Sequence, residues 1–104
     1  MIHFLDIRNR AIRLTDERLS PLESDHPEMA GQISRIADTL ADPDRIIRSR
    51  TDVTVELFYK WSTATAVTAK FLCVVVKALP DDPFMITAYH TDEVKRGEVL
   101  WQKT

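Results

Sequence analysis

Three arginines crowd one short stretch, Arg45-Ile46-Ile47-Arg48-Ser49-Arg50, whose composition reads as a basic strand. Alternation along a strand sends Arg48 and Arg50 to the same face. Guanidinium groups match phosphate oxygens in pairs, so this face suits a phosphate clamp. A plainer reading is an edge strand kept from aggregating by its charge. Tyr59-Lys60 and Thr87-Ala88-Tyr89 add hydroxyls and aromatic planes on strands either side of an apolar one. If Ile86 and Ala88 face the helices, Thr87, Tyr89 and Thr91 face away, offering donors and a ring on which a base stacks. Threonine and tyrosine also favour strands for their shape alone. His26 is suited to proton transfer near neutral pH, or equally to capping the helix that Pro27 opens. Lys95-Arg96-Gly97 adds positive charge beyond Thr91, though exposed charge explains it as simply. Trp61 and Trp101 read as core or rim aromatics.

Other chemistries find no support. His3, His26 and His90 are isolated and lack ligand spacing, so no metal site is expected. No phosphate loop, dinucleotide fingerprint or paired cysteines occur, and no cofactor is expected. Cys73 is the only cysteine and sits in the apolar run Phe71-Leu72-Cys73-Val74-Val75-Val76. It reads as a buried small hydrophobe, with a reactive thiol as the alternative.

The 104 residues fit a single domain, 1–104, long enough to bury a core without staples. With Asp6, Arg8 and Arg10 in the first ten residues no signal peptide is expected, and no apolar run is long enough to span a membrane. A cytoplasmic protein is expected. The net charge of −2 weighs against a general nucleic-acid binder. The charge is uneven, however. Residues 1–44 hold nine acids and five Lys/Arg (−4), whereas residues 45–104 hold seven and nine (+2). A phosphate site belongs in the second half.

Residues 2–7 and 11–14 read as short strands joined by a turn at Asn9. Thr15 suits a helix N-cap, with a helix over 16–24 that Pro21 restarts or shortens. Pro27 opens a second helix over 28–41, with Met29, Ile33, Ile36, Ala37 and Leu40 on one face. The period then becomes two: strands are expected at 45–50, 54–61, 70–78 and 84–91, and an edge strand at 98–101. Short connections favour an antiparallel meander with 70–78 central. Lys60 is expected to be free on the face away from the helices, with Tyr59 buried, because an unpaired buried ammonium is costly. If Phe58 packs on the helices instead, Tyr59 joins the outer face. The expected class is α+β: two N-terminal helices packed on a mostly antiparallel sheet of four to six strands.

This order of elements carries the segments His26-Pro27-Glu28, Asp42-Pro43-Asp44, Leu57-Phe58-Tyr59-Lys60, Leu72-Cys73-Val74-Val75-Val76-Lys77 and Thr87-Ala88-Tyr89. Over about residues 10–102 the chain resembles the phage-type branch of the barnase–EndoU–colicin–RelE-like nucleases. The resemblance implies an RNase-toxin-like fold and a metal-independent RNA endonuclease of toxin type, or a descendant of one. Its catalytic candidates are His26, Arg48, Lys60 and Tyr89. The substrate-binding candidates are Arg50, Tyr59, Thr87, Thr91 and Lys95. The chain departs from the pattern at Pro21, where a continuing helix, often with another histidine, is expected. Implied partners are RNA and a small antitoxin-like protein. The alternative is a non-catalytic module that uses the same face to hold a protein or nucleic acid.

Overall fold

The computed structural model describes residues 1–62 and 71–104. Residue 70, the expected start of the central strand, lies outside them. The β1–β2 hairpin comes first. Strand β1 (Ile2–Leu5) turns through Asn9, at φ +62°, into β2 (Ala11–Leu14). Asn tolerates that left-handed conformation because its short side chain bonds locally. The Asp6 carboxylate closes the turn by accepting the backbone N–H groups of Arg8 and Arg10, at 3.0 and 2.8 Å.

Helix α1 (Asp16–Asp25) follows Thr15, whose backbone is extended but whose hydroxyl makes no capping bond. Pro21 neither restarts nor shortens it; the helix runs through the proline to Asp25. The expected helix over 28–41 divides. Pro27–Met29 form one 3-10 turn, Gly31 takes φ +73°, and α2 spans Ile33–Ala41. That left-handed glycine breaks the helical path at little cost, because it carries no Cβ.

Strands β3 (Arg45–Arg48), β4 (Val55–Trp61), β5 (Phe71–Lys77), β6 (Phe84–Thr91) and β7 (Val99–Gln102) complete one sheet, ordered β1-β2-β6-β5-β4-β3-β7. β5 lies between β4 and β6, antiparallel to both. The expectation of a four- to six-stranded, RNase-toxin-like sheet is corrected. Among the described residues the sheet is mixed and seven-stranded, because the N-terminal hairpin joins it through a parallel β2–β6 contact at Arg13 and Phe84. The class remains α+β. No helix among the described residues is long and apolar enough to cross a membrane.

Two apolar layers flank the sheet. On the helix face, Ile46, Phe58, Leu72, Val74, Val76 and Met85 pack with Leu22, Met29, Ile36 and Leu40. On the outer face, Ile47, Val55, Leu57, Tyr59 and Cys73 form a second cluster, joined by Phe71, Val75, Ile86, Tyr89 and Val94. Each large side chain buried here contributes about 1.5–3 kcal/mol. Phe58, not Tyr59, is therefore the residue against the helices. A bulge in the β5–β6 ladder between Val75 and Val76 shifts the expected phase of β6. It sends Met85 with Ala88 to the helix face and Ile86 with Tyr89 to the outer face.

Candidate functional site

Residues 92–98, between β6 and β7, cross the outer face as a strap. Thr91 starts the strap: its hydroxyl lies 3.2 Å from the Glu93 carbonyl and 3.3 Å from the Glu93 N–H. The backbone N–H of Lys95 donates to the Tyr59 hydroxyl at 3.1 Å. The Arg48 N–H donates to the Glu98 carbonyl at 2.9 Å, anchoring the far end on β3. Gly97 is required there: an added Cβ would lie 2.4 Å from the Arg48 carbonyl oxygen.

Beside the strap a groove of about 420 Å³ opens, lined by Arg50, Asp52, Ile86, Tyr89, Lys95 and Arg96 among others. Its one acid is neutralised. Lys77 pairs with Asp52 at 2.7 Å, and that bond, with those from Thr54, holds the carboxyl well below the usual range. The cations of the described residues fall into two main sets, apart from Arg18, over the Phe84 ring, and Arg35, bonded to Ser62. Arg8, Arg10, Arg13, Arg48, Lys60, Lys77 and Lys103 are held by carboxylates. Arg45, Arg50, Lys95 and Arg96 have no carboxylate partner among the described residues, and all four line hollows of the outer face. Uncompensated cations around a hollow set a positive potential that draws in anions.

Tyr89 reaches this groove from β6, and His26 reaches Tyr89 from the end of α1. Their rings lie 5.8 Å apart, inclined by 31°. The meeting follows from topology. Strand β2 pairs with β6 at Phe84, and further along β6 the end of α1 and the 3-10 turn pack against that strand. His26 stands at the cap position between α1 and the 3-10 turn, and its backbone N–H donates to the Leu22 carbonyl, but its side chain makes no capping bond and sits 3.5 Å from Glu28. Burial and the neighbouring Cys73 push the Tyr89 hydroxyl well above its ordinary pKa, so it stays protonated and donates. Burial raises the Cys73 thiol to about 11, between the two tyrosines. It is no nucleophile near neutral pH.

The sequence candidates thus separate. His26, Tyr89, Arg50 and Lys95 come together on the outer face. Thr87 lines an adjoining hollow beside α1 with Arg18 and Asp25. Tyr59 lies beneath the strap and is buried. Lys60 does not join them, contrary to expectation. It lies on the helix side, paired with Asp38 at 3.0 Å and Asp42 at 3.1 Å. Despite the cost of burial, these carboxylates raise its pKa. Arg48 is also engaged elsewhere, with Glu98 and the Val53 carbonyl. The expected convergence of Arg48, Lys60 and Tyr89 is corrected because ion pairing, not solvent, satisfies Lys60. Trp61 is half exposed, a rim aromatic, and its ring meets Phe71 edge-on at 5.3 Å.

Arg96 belongs to the groove too; the sequence marked it as added charge but not as a substrate-binding candidate. Its signal was adjacency to Lys95 in the only Lys-Arg pair of the chain. Among the described residues no three His, Cys, Asp or Glu side chains gather as a metal ligand set. In comparisons with known proteins, no family model, no curated protein and no solved structure matches this chain.

Proposed function

We propose that the outer face binds single-stranded RNA through its phosphates and cuts it without a metal, as a toxin-type endonuclease. One observation carries this reading. His26-Pro27-Glu28 and Thr87-Ala88-Tyr89, two segments that resemble the phage-type nucleases, lie sixty residues apart in sequence, yet His26 and Tyr89 meet at 5.8 Å beside the cationic groove.

The chemistry is internal transfer. The 2′-hydroxyl oxygen bonds to phosphorus as its proton passes to His26, and the bond from phosphorus to the 5′ oxygen breaks. Tyr89, held protonated, donates to the departing oxygen. The products are a 2′,3′-cyclic phosphate and a 5′-hydroxyl. Arg50, Lys95 and Arg96 hold the charge that gathers on the phosphate oxygens. Lys60 and Arg48 have no part in this step.

The test is single-stranded RNA incubated with the protein in EDTA at low salt, for wild type, His26→Ala, Tyr89→Phe and Arg50→Ala. Wild type cuts RNA; His26→Ala loses about 10²-fold or more in rate. Arg50→Ala weakens binding, and binding falls as salt rises. A wild type that binds RNA without cutting it assigns the face to a non-catalytic module. A wild type that does neither overturns the RNA reading, leaving the groove to an acidic protein partner of antitoxin kind.

A further inference from the structure

The strap has a second hollow on its other side. Val94 opens onto it, as Lys95 and Arg96 open onto the cationic groove. This hollow, of about 350 Å³, lies over β3, β4 and β5 and is walled by Tyr59 and Phe71. We infer that it is a nucleobase subsite, taking the base of a nucleotide whose neighbour sits in the cationic groove. The inference rests on the RNA reading of this face and adds where, and by which groups, a base is held.

Strand register makes the case. Gln102 on β7 pairs with Arg45 on β3, and Arg45 pairs with Tyr59 on β4. Tyr59 pairs with Cys73 on β5, and Cys73 with Tyr89 on β6. One row of side chains therefore crosses the outer face from Gln102 to Tyr89. At about 4.8 Å per strand, Arg45 stands roughly 14 Å from Tyr89, a span that an unstacked strand covers in a few nucleotides.

The groups in the hollow suit a base. Phe71 supplies a partly exposed aromatic ring, fixed edge-on between Tyr59 at 6.5 Å and Trp61 at 5.3 Å, both at 88°. A fixed ring loses little freedom when a base stacks on it. Arg45 and Gln102 stand side by side at the rim. Arg45 has no carboxylate partner among the described residues, and no side-chain hydrogen bond engages Gln102 there. A guanidinium that donates and an amide that both donates and accepts read the edge of a base. The hollow's acid, Asp44, is occupied: it accepts the Trp61 N–H at 2.6 Å and lies 3.8 Å from the Lys103 ammonium.

The test uses nucleoside 5′-monophosphates, which have no internucleotide bond to cut. Binding is followed by calorimetry and by tryptophan fluorescence, for wild type, Phe71→Leu, Arg45→Ala, Arg13→Ala and Trp61→Phe. Monophosphates bind wild type and quench its fluorescence. Phe71→Leu and Arg45→Ala each weaken binding by roughly five-fold or more. Arg13→Ala, which removes a cation paired with Asp82 at the β2–β6 edge, leaves it unchanged, and Trp61→Phe removes the quench while calorimetric binding persists. Urea midpoints confirm that each variant is folded; Arg45→Ala, at the rim, decides the matter if Phe71→Leu is not. The inference is overturned if no monophosphate binds, if Arg45→Ala binds as tightly as wild type, or if Arg13→Ala weakens binding as much as Arg45→Ala does. Monophosphate binding without RNA cutting sinks the nuclease reading and leaves this subsite standing.

Discussion

The Tyr59 hydroxyl accepts the backbone N–H of Lys95 at 3.1 Å, so a buried side chain of the sheet sets the height of the strap above it. Both hollows take their shared wall from that bond. Tyr59→Phe keeps the ring and removes the acceptor. It costs about 0.5–1.5 kcal/mol, the net worth of one hydrogen bond, and weakens RNA binding a few-fold. Urea midpoints and binding titrations on the same preparation check both effects.

Gly97 gives a sharper probe of the strap. Its added Cβ would meet the Arg48 carbonyl oxygen at 2.4 Å and the Ile47 Cγ2 at 2.7 Å, and the first of these belongs to backbone that cannot yield. Gly97→Ala therefore lifts the strap from β3 and costs about 1–3 kcal/mol. A thermal melt indistinguishable from wild type would show that the strap is not seated as described.

Glu56 is the chain's second buried carboxylate beside Asp6. It accepts from Arg8 and from Arg10, the latter at 2.8 Å, and Arg10 also reaches Asp6. The bonds tie the β1–β2 turn to β4. Glu56→Ala leaves two arginines without this partner. The cost is about 2–3 kcal/mol, below that of a fully buried pair, because Arg8 and Arg10 are partly exposed. Glu56→Met, which fills the volume, costs less. Denaturant unfolding of the two variants orders them.

His90 predicts an acid-sensitive stability. Both ring nitrogens are buried without a partner. Burial lowers its pKa, only partly opposed by Glu28. The unfolded chain then binds a proton at a pH where the folded protein does not. Stability is complete above the ordinary histidine pKa of about 6.5 and falls as pH drops below it. His90→Phe removes this dependence and, having no polar atoms to bury, does not lower stability at pH 7.5. Unfolding midpoints for the two proteins, taken from pH 7.5 down to 5, should diverge as pH falls, with wild type losing the more. Parallel curves would refute the assignment.

Much of the second half was legible because its period is strict. Alternation from Val55 to Trp61 and from Phe84 to Thr91 places β4 and β6 with few errors. The face of each side chain was harder. Sequence alternation sets Lys60 against Tyr59 but does not say which faces the helices. The answer depended on Asp38 and Asp42, one helical turn apart on α2, receiving the ammonium. The bulge near Val75 was invisible for a similar reason: nothing in a strand's own sequence marks an extra residue in its partner. His26 and Tyr89 were each legible as reactive types. Their meeting was not, since it requires the end of α1 to pack against β6. Glu56 carried a signal that went unread: a lone acid on the strand face that Phe58 buries must find cations, and Arg8 and Arg10 were the nearby pair in the hairpin turn.

The one parallel contact of the sheet among the described residues, Arg13 on β2 with Phe84 on β6, bears on the order of assembly. Within the sheet the β1–β2 hairpin has no strand to join until β6 has formed and paired with β5. Bringing those ends together closes a loop of some seventy residues, an entropic cost met before any burial repays it. Until then Ile12 and Leu14, fully buried in the finished protein, lack the cover of β6. The hairpin's place in the sheet is thus decided late, by a strand some seventy residues further along. A nascent chain stopped before β6 carries an unpaired, apolar hairpin, which is the species a chaperone meets.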